Sequence, residues 1–291
     1  MATTNPIQKH IDALQKQYAV LRKGKESLLV MLDEAESSES VYNSNAIENS
    51  TLTLKETETI LLGMEVPRNH SLREIFEAKN LARVTEFIRK RSQENYLGQE
   101  TILLLHQMLI GGIDDNIAGR FRSAGEYVRV GSHLAPSPKH IEPMIDDALL
   151  KYNSGIETYF VDKIARFHLD FETVHPFNDG NGRIGRVLIN YQLLRLGFPA
   201  IIIRDKEKKV YYQAFNDYRD SKKTRPMEKI IALALRESLH KRIAYLQGQK
   251  IITLADHARK IGHSVPSVLN AARRQNIPAF RENGVWKIGE K

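Results

Sequence analysis

The sequence predicts an all-α fold: a helical bundle interrupted by one β-hairpin and followed by a small C-terminal helix-turn-helix or winged-helix-like appendage. Apolar residues recur at spacings of three, four and seven over most of the chain, which is the period of an amphipathic helix. A Gly- and Pro-rich stretch at 119–136 breaks that pattern and contains the alternating run Tyr127, Val128, Arg129, Val130, read as a short strand or hairpin. Gln247, Gly248 and Gln249 then separate the long helical body from a short basic tail.

Taken in order, residues 6–36 carry Ile7, Ile11, Leu14, Tyr18, Leu21, Leu28 and Leu32 and read as one amphipathic helix. Similar patterns predict helices over 54–64, 72–90, 99–109 and 141–151, and no fixed period recurs, which argues against a solenoid. After the hairpin, helices are expected at 164–174 and, past a Gly-rich turn, at 183–196, the latter ended by Gly197 and Pro199. Helices at 208–217 and 226–247 close the body. In the tail, two short helices at 253–261 and 266–275 flank Gly262, His263 and Ser264, and a hairpin is expected around Asn283 and Gly284.

Composition limits what such a fold can do. With 291 residues, 42% of them hydrophobic, the chain can bury a core as one large domain or a main domain with a small appendage. The absence of cysteine excludes disulfides, thiolate zinc sites and cysteine nucleophiles. The polar start of the sequence lacks the apolar core of a secretory leader, and apolar stretches such as 230–235 fall far short of the roughly 20 residues that span a bilayer. A cytoplasmic location without membrane contact is therefore expected. The formal net charge of +8 favours a polyanionic partner: a nucleotide, a nucleic acid or an acidic protein. Basic residues, among them Arg259, Lys260, Arg273 and Arg274, outnumber acids in the tail, so DNA binding is expected there first.

The segment HPFNDGNGRIGR, residues 175–186, gathers an imidazole, a carboxylate, three glycines and two arginines at a turn between helices. Gly180, Asn181 and Gly182 lead into a helix N-terminus, where free backbone N–H groups and the positive end of the helix dipole attract phosphate. A side chain at those glycines would hinder close approach or the turn itself. Arg183 and Arg186, three apart, project toward the same anion, and Asp179 is placed to hold a Mg²⁺ bridging phosphate oxygens. His175 can accept a proton from an attacking hydroxyl. Together these groups describe transfer of a phosphate-containing group by positioning, charge neutralisation and one base. His168, one helical turn earlier, reads as a core or supporting histidine rather than a metal ligand.

The same string resembles the Fic signature H-P-F-x-[DE]-G-N-G-R-x-x-R at every constrained position. The resemblance implies a Fic-type helical bundle and a nucleotidyltransferase that moves AMP from ATP, with Mg²⁺, to a Ser, Thr or Tyr hydroxyl of a target protein. It makes His175 the general base, Asp179 the Mg²⁺ ligand, Gly180–Gly182 the anion hole, and Arg183 and Arg186 the ligands of the outer phosphates, with Phe177 a buried anchor. Residues Val128, Arg129, Val130 and Gly131 fall where the family carries a flap that covers the nucleotide and receives the target by strand addition, and Tyr211 and Tyr212 resemble a pair placed near the adenine. Ser44, Glu48 and Asn49 match the family's N-terminal inhibitory motif, [ST]-x-x-x-E-[GN], which implies a helix that presents Glu48 to Arg186; because an exposed ion pair is too weak to inhibit strongly, Glu48 is expected to be substantially buried there. In some relatives the same glutamate also serves the removal of AMP.

These readings divide the chain into an N-terminal helical region at 1–100 with the inhibitory helix around 44–50, a Fic core at 101–248, and the tail at 249–291. The core holds the flap at 119–136 and the active-site loop at 175–186. Two other functions compete: a Fic-fold transferase of a different phosphate-containing group, and a DNA-binding regulator with a vestigial core. Self-association as a homodimer is left open.

Overall fold

The computed structural model describes residues 5–63, 70–93, 97–131, 133–155 and 157–290. Met64 at the end of one expected helix, Ser132 in the flap and Lys291 in the tail lie outside them. The body is helical. In chain order come α1 (Asn5–Leu21), α2 (Glu26–Ile47), α3 (Leu54–Leu61), α4 (Leu72–Arg91), α5 (Gln99–Ile110) and α6 (Ile141–Ser154). They are followed by α7 (Phe160–Val174), α8 (Asn181–Arg195), α9 (Lys208–Ser221) and α10 (Arg225–Leu246). The hairpin pairs β1 (Arg129–Val130) with β2 (His133–Leu134), and Gly131 at φ +59° makes its turn.

Local chemistry sets several boundaries. Thr53 caps α3 in a reciprocal box with Glu56, and Ser71 caps α4 by accepting from the N–H of Glu74. The single helix expected over 6–36 is in fact two, broken at Gly24, whose φ of +72° a helix cannot hold. The apolar pattern continues across the break because both helices bury their apolar faces in the same cluster.

Two apolar clusters meet at α7 and α8. One joins them to α1, α9 and α10, the other to α3, α4, α5 and α6, and α2 contributes to both. The two helices that carry the loop 175–180 at their junction are thus held from both sides. Phe177, fully buried in the second cluster, anchors the loop itself, a burial worth about 1.5–3 kcal/mol.

The tail forms β3 (Lys250–Thr253), α11 (Leu254–Lys260), α12 (Val265–Arg273), β4 (Ala279–Glu282) and β5 (Val285–Glu290), with the sheet order β3-β5-β4. Asn283 and Gly284, both at positive φ, make the tight turn of the expected hairpin. β3 was not anticipated. The tail packs on α10, where Glu237 binds Arg281 at 2.6 Å and Tyr245 donates to Glu282 at 2.7 Å.

A buried charge network joins the tail to α2. Glu39 pairs with Arg204, which also binds Glu237 at 3.0 Å. The Glu39 carboxylate further accepts the N–H groups of Asn283 and Gly284 at 3.1 and 3.0 Å. Breaking a buried pair leaves an uncompensated charge, so Glu39→Ala is expected to cost about 3–5 kcal/mol in urea unfolding. A loss below about 1 kcal/mol, the range of exposed pairs, would show that this junction carries little of the fold.

Candidate active site

The loop between α7 and α8 is shaped by residues far from it in sequence. His175 ends α7 in the left-handed region at φ +49°, its N–H donating to Phe171 O at 2.9 Å. Asn181 closes the loop by accepting from Phe177 N–H at 2.9 Å and donating to Phe177 O at 2.8 Å. His106 of α5 stacks on the Phe177 ring with centroids 3.6 Å apart. It accepts the Gly119 N–H at Nδ1 (3.0 Å) and donates from Nε2 to Asp179 O (3.1 Å). Burial depresses its pKa to about 4, so it serves here as a neutral strut.

Gly180 (φ +78°) caps α8. The helix hydrogen bonds begin with Ile184 N–H to Gly180 O, so the N–H groups of Asn181, Gly182 and Arg183 have no intrahelical acceptor and form the anion cradle. With His175, Asp179 and Arg183 they line a cavity of about 320 Å³. A larger cavity of about 600 Å³, bordered by Tyr152, Tyr159, Lys163 and Glu228, includes none of the loop residues.

Each charged group of the loop is met by an opposite charge. Arg183, buried, lies 3.2 Å from Glu77 of α4 and 3.2 Å from Asp179. Arg73, one turn before Glu77, pairs with Asp179 from the other side. Burial alone would raise the Asp179 carboxyl, but Arg183 and Arg73 hold it below the usual carboxylate range, so it stays ionised. Arg186 binds Glu48 at 2.9 Å, the Ser44 hydroxyl at 2.9 Å and Ser44 O at 2.7 Å. Asn49, at φ +68° just past the end of α2, accepts from Lys208 Nζ at 2.7 Å.

Glu48 differs from the expectation. The Arg186 side chain is buried, at 7% exposure, but Glu48 keeps 34%. The reason is its position at the C-terminal cap of α2, beyond the last helical residue, with its carboxylate over the mouth of the cradle. A Cβ on Gly182 would overlap Glu48 Oε1, so the carboxylate packs directly on the backbone at Gly182.

Other expected nucleotide contacts are set apart from the cavity. Tyr211 is fully buried, bonded to His168 Nε2 at 2.7 Å, and backs Arg186 from the core. Tyr212 donates to Ile47 O at 3.1 Å and holds the end of α2. Val128, Arg129, Val130 and Gly131 form the flap, with Arg129 and Gly131 exposed and Val128 and Val130 half-buried, and do not line the cavity. His168 is a buried strut with its pKa lowered to about 4 by burial.

Four supporting residues carry little sequence signal: Glu172, Arg122, Arg73 and Glu77. Glu172 places Oε2 3.6 Å from His175 Nδ1, too long for a hydrogen bond but close enough to orient the ring. Burial would raise its pKa, yet His175, His168 and Arg186 hold it below the usual range. Its only signal is a spacing of three from His175. Arg73 and Glu77 reach the loop from α4, and Arg122 donates to His175 O, across separations that leave no local signal.

The helical bundle thus brings an imidazole, an ionised carboxylate and free helix N–H groups together on one loop. Residues 96–193 match the Fic/DOC family. The chain is 33% identical over 182 residues to the protein adenylyltransferase Fic of Nematostella vectensis, covering 60% of this chain and 42% of that protein. The protein adenylyltransferase fic-1 of Caenorhabditis elegans is 32% identical over 183 residues, with 60% and 35% covered. The chain thus spans less than half the length of these curated relatives. Among solved structures, a Fic-domain signaling protein of Bacteroides thetaiotaomicron superposes with TM-score 0.74 at 26% identity, covering 82% of this chain and 97% of that one. A Fic family protein of Desulfovibrio desulfuricans, 21% identical, shares the fold over 99% of this chain and 97% of its own, with TM-score 0.69.

Proposed function

We propose that this protein is an adenylyltransferase that moves AMP from ATP to a hydroxyl side chain of a target protein. The observation that carries the reading is the convergence of His175, the N–H cradle of residues 181–183 and Asp179 on one cavity. The hydroxyl oxygen would bond to the α-phosphorus while the bond from that phosphorus to the bridging oxygen of the β-phosphate breaks, and pyrophosphate departs. The hydroxyl proton goes to His175 Nε2, because Nδ1 faces Glu172, whose charge steadies the imidazolium. The cradle and Arg183 hold the phosphates, and Arg186 joins them once Glu48 leaves it. Mg²⁺ would neutralise charge developing on the leaving phosphates. Asp179 fits it as an ionised oxygen donor opening on the cavity, once Arg73 releases it. Among the described residues no group of three or more His, Cys, Asp or Glu side chains is gathered for a metal, so the remaining ligands would be phosphate oxygens and water.

The target would add an extended strand to the flap edge at 128–131. Glu48 would act as an inhibitor by occupying the cradle and Arg186. A test of the chemistry is the intact mass of the modified protein after incubation with ATP and Mg²⁺. The gain should equal an adenylyl group; a gain equal to one phosphoryl group would establish the rival transferase.

A second activity, DNA binding by the tail, is favoured by one feature. Arg273 and Arg274 at the end of α12 are exposed and have no acidic partner among the described residues, whereas Arg259, Lys260, Arg281 and Lys287 are all paired. Each phosphate contact contributes about −0.9 to the slope of log affinity against log salt. Arg273→Ala with Arg274→Ala is therefore expected to flatten the slope of duplex binding by about 2. Binding that is absent, or insensitive to salt, would leave the tail as a docking element on α2 and α10. Among the described residues no helix is long and apolar enough to cross a membrane.

A further inference from the structure

We propose that Arg122 is a positioning residue that ties the flap to the catalytic loop, so that a target strand docked on the flap and the base His175 move as one body. The inference rests on the reading of His175 as the base. Arg122 is 3% exposed and directs its donors at two places. Toward the loop, its N–H donates to Pro176 O at 2.9 Å, Nε to His175 O at 2.9 Å, and Nη2 to Val174 O at 3.4 Å. Toward the flap, Nη1 donates to Glu126 O at 2.8 Å and Nη2 to Pro136 O at 3.0 Å. The acceptors are thus three consecutive carbonyls around the base and one carbonyl at each foot of the flap.

The choice of acceptors argues against a merely neutralised core arginine. A buried guanidinium is most readily satisfied by a carboxylate, and Glu126 lies close by. Its carboxylate is engaged instead by Arg120 (2.7 and 2.8 Å), Ser123 and Asn178. Arg122 is left to bind backbone, and only a rigid fork of five donors can span both segments, since lysine offers three donors at a point. The held residue needs such support: a non-glycine residue in the left-handed region persists where its surroundings over-determine it, and His175 is fixed at its N–H by Phe171 O and at its carbonyl by Arg122. Two lesser links run alongside, Asn178 to Glu126 at 2.8 Å and His133 Nε2 to Thr173 O at 3.0 Å.

The test uses amide hydrogen exchange in the full chain, which does not depend on activity. In the wild type, the N–H groups of Ala135 in the flap and His175 in the loop, bonded to Val128 O and Phe171 O, should open as one unit with the same denaturant dependence. In Arg122→Lys, exchange at both should rise together at least tenfold, while amides in the middle of α10 stay unchanged. Opening of the two at different free energies in the wild type, or loosening of the flap alone in the variant, overturns the proposal. The functional readout is made in a Glu48→Gly background. There Arg122→Lys should lower kcat for AMP transfer at least tenfold and leave the ATP Kd within twofold; equal losses in both would mark a general structural role and overturn it. Absence of AMP transfer in Glu48→Gly itself would remove the catalytic reading and leave the exchange result to decide the coupling.

Discussion

His175→Ala is expected to lower AMP transfer by about 10² to 10⁴, the worth of a positioned general base, with ATP binding nearly unchanged. The separation follows from geometry. The phosphates would be met by the N–H groups of residues 181–183 and by Arg183, none of which depends on the imidazole. His175 occupies the opposite end of the loop, with Glu172 against its Nδ1 at 3.6 Å. Single-turnover transfer and equilibrium ATP binding measured on the same preparation check both halves. A variant that retains full transfer removes His175 from the mechanism, and one that loses ATP binding points to collapse of the loop.

Glu48→Gly is expected to raise transfer, including self-modification, at least tenfold, equivalent to about 1.4 kcal/mol. A fully exposed ion pair is worth about 0.2–1 kcal/mol and would fall short. The pair here is asymmetric: Arg186 is buried while Glu48 is one-third exposed. Inhibition would therefore need more than the ion pair. A second contribution would be steric and electrostatic competition, since Glu48 Oε1 lies over Gly182, where a phosphate oxygen would meet the cradle. Arg186→Ala is not expected to activate, because it removes a phosphate ligand together with the inhibitor's partner. An unchanged rate in Glu48→Gly would sink the inhibitory assignment and leave the catalytic one standing.

The loop 175–186 was legible because its chemistry is contiguous: base, carboxylate, cradle and arginines follow one another, so a single turn brings them together. Ser44, Glu48 and Asn49 were legible only through resemblance, since nothing local says that α2 ends over Gly182. Arg73, Glu77 and Arg122 could not be found, because their place depends on how α4 and the flap pack against α7 and α8. Tyr211, expected beside the adenine, lies in the core because α9 buries that face against His168 of α7, with Phe215 of the same helix packed beside it. The break at Gly24 was hidden by an apolar pattern that both flanking helices share. β3 went unseen for a related reason: four residues form a strand only by pairing with β5, at the far end of the tail.

Transfer of AMP by this loop is tested most directly by incubating Glu48→Gly, beside Glu48→Gly with His175→Ala, with ATP labelled in parallel samples at the α- or the γ-phosphate. Protein-bound label should come from the α-phosphate alone and be lost with His175; retention of γ-label, or α-label that survives the second substitution, would rule AMP transfer by His175 out.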